Sequence, residues 1–220
     1  MTSGEGDRKA TLRARLRAAR RGAVMPSMAA EVLLAVDGYG VSAGGTVCAY
    51  VASAAEPGSL AMVESLRSRG LRVLLPVVVG EGLDWAAYDP GPGVSGGEAS
   101  GPESSDGGLD GLRSGAFGLL EPVGPRLGAA AVGAAALVLV PALAVDHSGV
   151  RLGKGGGYYD RALGLSTGPV VAVVRDEEFV PSLPAEPHDV RVDAVLTPGS
   201  GLVRLPLPVP QGRWCCDVDL

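Results

Sequence analysis

The segment RLGKGGGYYDR at residues 151–161 brings together groups suited to holding a phosphate. Glycines let backbone N–H groups approach an anion with no side chain in the way. Arg151 and Lys154 add full positive charge, and a helix starting at Tyr158 favours negative charge at its first turn. Asp160 then falls where a divalent cation between phosphates needs an oxygen ligand. With 34 glycines in 220 residues, a run of three arises about once by chance, so the neighbours must carry the reading. Neither common fingerprint is present. A Walker loop needs Ser or Thr after Gly153-Lys154, where Gly155 stands, and a G-x-G-x-x-G pattern begun at Gly153 fails at Tyr158.

Other chemistries find less support. The only histidines are His147 and His188, and metal ligation by paired histidines finds no support in their surroundings. Asp146-His147-Ser148 has the residue types of a hydrolase triad, but sequence neighbours do not adopt the relay geometry, and a turn is the better reading. The G-x-S-x-G match at residues 93–97 lacks the strand before it and the helix after it that a nucleophile elbow requires. Cys48, Cys215 and Cys216 form no CxxC pair and no even framework, which points to a reducing cytoplasm. The two lysines, Lys9 and Lys154, stand against 17 arginines; one lies in a basic helix and the other in the glycine loop.

The elements that position these groups follow from hydrophobic periodicity. From residue 8 to 21, Leu12, Leu16 and Ala19 recur at helical spacing among arginines, which predicts an amphipathic helix with Lys9 and Arg13 on one face. Helices are also expected around residues 28–36 and 60–69. Short apolar runs at 46–52, 71–79, 136–141, 169–174 and 193–198 read as buried strands. Their alternation with helices predicts a three-layer α/β/α, Rossmann-like fold with a mostly parallel sheet, whose ligands gather at the carboxyl ends of the strands. The uncharged run at 127–145 is interrupted by Pro141 and reads as a short helix and a strand, with no membrane span. Residues 90–112, rich in Gly, Ser, Pro and acids, read as a disordered insertion. The domain is expected to end at 198, with 199–220 as a tail.

Composition sets the class. Hydrophobic residues at 46% and charged ones at 20% describe a soluble globular chain with a formal charge of −5. Residues 1–21 hold seven basic residues against two acidic ones, so the remainder is strongly acidic. Such asymmetry suits an anionic ligand bound near the N-terminus better than a broad nucleic-acid surface.

Residues 140–163, VPALAVDHSGVRLGKGGGYYDRAL, closely resemble the signature of the 5-formyltetrahydrofolate cyclo-ligase family, also called 5,10-methenyltetrahydrofolate synthetases. Lys9 and Arg13 match the family's N-terminal Lys-x-x-x-Arg, and Glu56 follows the first strand. Trp85 and Tyr88 resemble its W-x-x-Y segment, GLLEP at 118–122 precedes its core strand, and HDVRVDAVLTP at 188–198 resembles its closing motif. The sequence departs from the family at Ala52, Ala136 and Val145, where Ser, Asp and Phe are common.

The resemblance implies ATP-dependent closure of 5-formyltetrahydrofolate to 5,10-methenyltetrahydrofolate, with ADP and phosphate released. It implies ATP contacts from Lys9, Arg13, Arg151, Leu152, Gly153, Lys154, Gly155, Gly156, Gly157, Tyr158 and Tyr159, with Mg²⁺ held by Asp160 and Asp189. The reduced folate would meet Glu56, Trp85, Tyr88 and residues 154–158, with Lys154 and Tyr158 as the catalytic groups. The chain is expected to act as a cytoplasmic monomer with no nucleic-acid or membrane partner. The alternatives are a diverged paralogue acting on another substrate, such as a thiamin-related one, a non-catalytic nucleotide binder, or a nucleic-acid binder using the basic helix.

Overall fold

The computed structural model describes residues 3–91, 111–187 and 189–207, with side chains from residue 6 onward. Most of the insertion, the G-x-S-x-G match at 93–97, His188 and residues 208–220 lie outside them. The first half contains α1 (Ser3–Arg20), α2 (Glu31–Gly38), β1 (Thr46–Cys48), α3 (Leu60–Ser68) and the hairpin β2 (Arg72–Val79) and β3 (Gly82–Ala87). After the insertion come β4 (Leu112–Ser114), β5 (Leu120–Pro122), β6 (Leu137–Pro141), β7 (Ala144–Asp146) and β8 (Arg151–Leu152). The chain continues through α4 (Tyr158–Leu163), β9 (Val170–Val173), β10 (Phe179–Val180), β11 (Ala194–Thr197) and β12 (Gly201–Arg204).

Seven strands form one sheet in the order β12-β11-β9-β6-β1-β2-β3. The five inner strands are parallel, and the two edge strands run antiparallel to their neighbours. The inner strands are apolar along their length because both faces are covered. Val32 and Val36 of α2 pack with Met62, Val63 and Leu66 of α3 on one side. Val132, from the 3₁₀ turn Ala129–Ala134, packs with Ala162 and Leu163 of α4 on the other. This is the expected three-layer architecture.

Three features differ in detail from the sequence reading. The run at 71–79 is one arm of a hairpin, and its partner β3 places Trp85 opposite Pro76. The ordered fold continues past residue 198: β12 pairs with β11 across Thr197 and Gly201, and Leu207 N–H donates to His147 O at 2.8 Å. The expected tail boundary therefore falls inside a hairpin, because the exposed edge of β11 takes up a further strand. The uncharged run at 127–145 is a 3₁₀ turn followed by β6 and β7. No helix among the described residues is long and apolar enough to cross a membrane.

Cys48 sits fully buried in β1, and desolvation pushes its thiol up to about 12. Reactivity requires the thiolate, so this group is inert while the sheet is intact. In a Cys215→Ala/Cys216→Ala chain, an aromatic disulfide reagent at pH 8 should leave the native protein unlabelled and modify it promptly in denaturant. Equal labelling rates in the two states would contradict the packing described.

Candidate functional site

The glycine loop leaves β8, the outer strand of a separate three-stranded sheet in the order β10-β7-β8, and ends at the start of α4. Gly155 (φ +102°) and Gly157 (φ +67°) adopt backbone conformations that L side chains resist. Three arginines hold the loop by its carbonyls. Arg13 Nε donates to Gly153 O at 3.0 Å and Arg17 Nη2 to Lys154 O at 2.5 Å. Arg161 Nη2 donates to Gly156 O at 2.9 Å and also to the Glu81 carbonyl in the β2–β3 turn. Among the described residues, the N–H groups of residues 153–157 donate to no protein acceptor. A run of unused amides whose carbonyls are turned toward cations has the chemistry that suits an anion.

The loop borders a cavity of about 680 Å³, within the usual range for ligand pockets. Lys154 reaches across it to Glu56, Nζ to Oε1 at 2.8 Å, and half of the lysine side chain stays exposed. Glu56 is buried, and its Oε2 accepts from the Ser53 N–H at 2.9 Å and the Ser53 hydroxyl at 2.7 Å. Arg151 Nη2 pairs with Asp160 Oδ1 at 2.7 Å. The buried Nε of Arg151 has no hydrogen-bond partner among the described residues. Desolvation first, and then Glu56, raises the Tyr159 phenol well above its ordinary value, so this group stays neutral at physiological pH.

Lys9 is buried outside the cavity lining, with Nζ 2.7 Å from Glu186 Oε2 and 2.6 Å from Asp189 Oδ2. Desolvation works against its charge, but the hydrogen bonds to Asp189 and Glu186 outweigh it and hold the ammonium above its ordinary pKa. Asp189 therefore serves as a partner of Lys9, and Asp160 as a partner of Arg151. Among the described residues, no group of three or more His, Cys, Asp or Glu side chains is placed to hold a metal ion.

Trp85 and Tyr88, expected to meet the folate, lie outside the cavity lining. Trp85 is fully buried in the cluster that contains Ala162 and Leu163, and Tyr88 is buried with its hydroxyl donating to Glu64 Oε1 at 2.6 Å. Neither lines the cavity: Trp85 of β3 packs in the core on the side of α4, and Tyr88, just after β3, packs in the core on the side of α3. The exposed aromatic at the cavity is Phe117, between β4 and β5. It is 77% exposed, has φ +58° and stands edge-on to Tyr158 with ring centroids 6.2 Å apart. Phe117, immediately before GLLEP, was the available signal. Asp146 is no relay member: its carboxylate accepts from the Ser148 N–H and hydroxyl and from the N–H groups of Val150 and Leu183. His147 stacks edge-on against Phe179. The sequence reading also passed over Arg17, Arg20 and Arg161. With Lys9 and Arg13, the first two form a stripe on α1 at residues 9, 13, 17 and 20.

The sequence profile of the 5-formyltetrahydrofolate cyclo-ligase family matches residues 5–198. A 5-formyltetrahydrofolate cyclo-ligase of Mycolicibacterium smegmatis is 45% identical over 170 residues, covering 74% of this chain and 78% of the relative. The fold is similar to that of the 5,10-methenyltetrahydrofolate synthetase of Aquifex aeolicus, with a TM-score of 0.68 and 23% identity over 94% of this chain and 98% of that one. It also resembles the synthetase of Mycoplasma pneumoniae, with a TM-score of 0.58 and 16% identity over 85% and 96% of the two chains.

The loop geometry gives two glycine substitutions opposite signs. At Gly157 an added Cβ would meet Arg161 Nη1 at 2.8 Å in a left-handed backbone, whereas at Gly6 of α1 nothing lies within 4 Å. Gly157→Ala should lower the melting temperature by about 2–6 °C, and Gly6→Ala should leave it unchanged or raise it slightly. Thermal unfolding followed by circular dichroism checks both.

Proposed function

The chain belongs to the 5-formyltetrahydrofolate cyclo-ligase family, and on that premise we propose that it converts 5-formyltetrahydrofolate to 5,10-methenyltetrahydrofolate, with ATP consumed to ADP and phosphate. The observation that carries this reading is a single cavity in which an anion-binding loop and a buried carboxylate meet through the Lys154–Glu56 contact at 2.8 Å.

Formyl oxygen is a poor leaving group. In the proposed reaction it attacks the terminal phosphorus of ATP and becomes a phosphate ester, and ADP departs. N10 of the folate then attacks the formyl carbon, forming the second C–N bond and giving up its proton, and the C–O bond breaks with loss of phosphate. Such a sequence asks the protein mainly to align two substrates and to neutralise charge.

The residues divide between these tasks. The amides of residues 153–157, together with Arg13 and Arg151, suit the triphosphate. Lys9 would join them by exchanging Glu186 and Asp189 for phosphate oxygens. Lys154, between the loop and Glu56, is placed to stabilise negative charge on the phosphoryl group as it moves to the formyl oxygen. Tyr158 and Phe117 offer an aromatic edge for the reduced pterin, and Glu56 offers a carboxylate to its N–H groups. Trp85 and Tyr88 would act only from the core behind this surface.

Mg²⁺ fits as a companion of the nucleotide, because it keeps several waters and needs only one or two carboxylates in addition to phosphate oxygens. Asp160, which lines the cavity, would hold it, and Asp189 would join only by giving up its contacts with Lys9 and the Glu186 N–H. The ion would screen the phosphate charges.

The test is purified protein with 5-formyltetrahydrofolate, with and without MgATP, followed by the near-ultraviolet absorbance of the methenyl product. Product should form only with MgATP. Lys154→Ala and Asp160→Ala should each lose about 100-fold or more in turnover while unfolding at nearly the parent temperature. Ser95→Ala should match the parent. An inactive Ser95 variant, or product without ATP, would refute the assignment.

A further inference from the structure

Arg20, at the last turn of α1, makes a set of contacts that the proposed reaction does not use. Its Nε donates to Glu178 Oε1 at 2.7 Å, and its Nη2 donates to Glu178 Oε2 at 2.6 Å. The same Nη2 donates to Ala142 O at 2.6 Å, and Nη1 donates to Ala55 O at 3.0 Å. The arginine is 3% exposed and Glu178 is 0% exposed. Neither lines the cavity, so neither touches a ligand held there.

The two carbonyls are the informative partners. Ala142 follows β6 and lines the cavity, and Ala55 is the residue before Glu56. One planar guanidinium thus ties the Glu56 turn to the carboxyl end of a central strand. Its own orientation is fixed, because Glu178 also accepts from the Arg175 N–H at 2.9 Å and from Arg175 Nε at 2.9 Å. A lysine would keep the charge, but one ammonium cannot span the carboxylate and two carbonyls that lie in different directions from the fork. A buried ion pair is by itself weak evidence of a stabilising role. What singles out Arg20 is the place to which its remaining donors are sent.

We propose that Arg20 is a positioning residue for the folate side of the site: it fixes the Glu56 carboxylate at the cavity wall. This rests on the cyclo-ligase reading, in which Glu56 faces the folate. Arg13 and the glycine loop contact each other elsewhere on α1, so the nucleotide side should depend on Arg20 less.

The experiment is a double-mutant cycle on the full-length chain. The parent, Arg20→Lys, Glu56→Gln and the combined variant are assayed with 5-formyltetrahydrofolate and MgATP, well below the lowest melting temperature. Arg20→Lys should raise KM for the folate about tenfold and KM for ATP less than about threefold. In the Glu56→Gln background the same change should cost less than about twofold more, because its effect passes through Glu56. Should Arg20→Lys not fold, Arg20→Met/Glu178→Leu replaces it and is judged by the same ratios. That pair removes both buried charges, and Arg175 retains Glu177 at 2.8 Å. Equal penalties in both backgrounds, a matching rise in KM for ATP, or failure of both variants to fold would make Arg20 scaffolding only and overturn the proposal. A parent chain without turnover would instead overturn the cyclo-ligase reading, and this inference with it.

Discussion

Helix α1 is fastened to the rest of the molecule by charge. Lys9, Arg13, Arg17 and Arg20 follow one another at intervals of four, four and three residues, which places them along one side of a helix. Lys9 and Arg20 are buried, whereas Leu12 and Leu16 are only half-buried and Ala19 is exposed. The attachments fall on segments that follow β1, β6, β8 and β9 and on the segment before β11. A buried cation is tolerated only when its donors are satisfied, and removing one member of a buried pair such as Arg20–Glu178 typically costs about 3–5 kcal/mol. The helix is therefore held in one position by partners that an apolar contact would leave free to slide.

That constraint shapes the glycine loop. The loop has almost no side chains with which to fix itself, and its conformation depends on what grips its carbonyls. Arg13 and Arg17 from α1 and Arg161 from α4 supply that grip. The consequence is electrostatic. With the carbonyl dipoles turned toward guanidinium groups, the amides remain available at the cavity, and Lys154 completes a positive lining next to the Glu56 carboxylate. An acidic protein thereby gathers its local positive potential at one edge of its sheet. The same arrangement bears on the nucleic-acid reading of the basic helix: of the seven basic residues among residues 1–21, Lys9 and Arg20 are buried and Arg13 and Arg17 are engaged by loop carbonyls, although Arg17 is exposed like Arg8, Arg15 and Arg21.

Much of this was legible in the chain. The apolar runs at 136–141, 169–174 and 193–198 correspond to β6, β9 and β11, because a strand covered on both faces has no polar positions to blur its pattern. The RLGKGGGYYDR segment was readable because its constraints are local: a turn that needs left-handed backbone, and cations beside it. The edge strands were harder to see. β3 and β12 owe their pairing to neighbours already in place, and short segments such as Gly201–Arg204 carry too little periodicity to stand out.

The aromatic residues mark the limit most clearly. Trp85 and Phe117 have similar chemistry in a one-dimensional reading, yet the first is sealed in the core and the second stands 77% exposed at the cavity. Strand alternation can say that neighbours face opposite sides, but not which side has a helix over it. The arginine stripe on α1 presented the same problem, since spacing placed its members on one face without saying whether water or carbonyl groups lay opposite. The sequence by itself determined the layered fold, the glycine loop with its neighbouring cations and the kinship of the chain, all of which depend on residues near one another along the backbone. Only the tertiary structure decided which charges are buried, which aromatic stands at the cavity and where Glu56 is held, because those outcomes depend on contacts between segments as far apart as 180 residues in the chain.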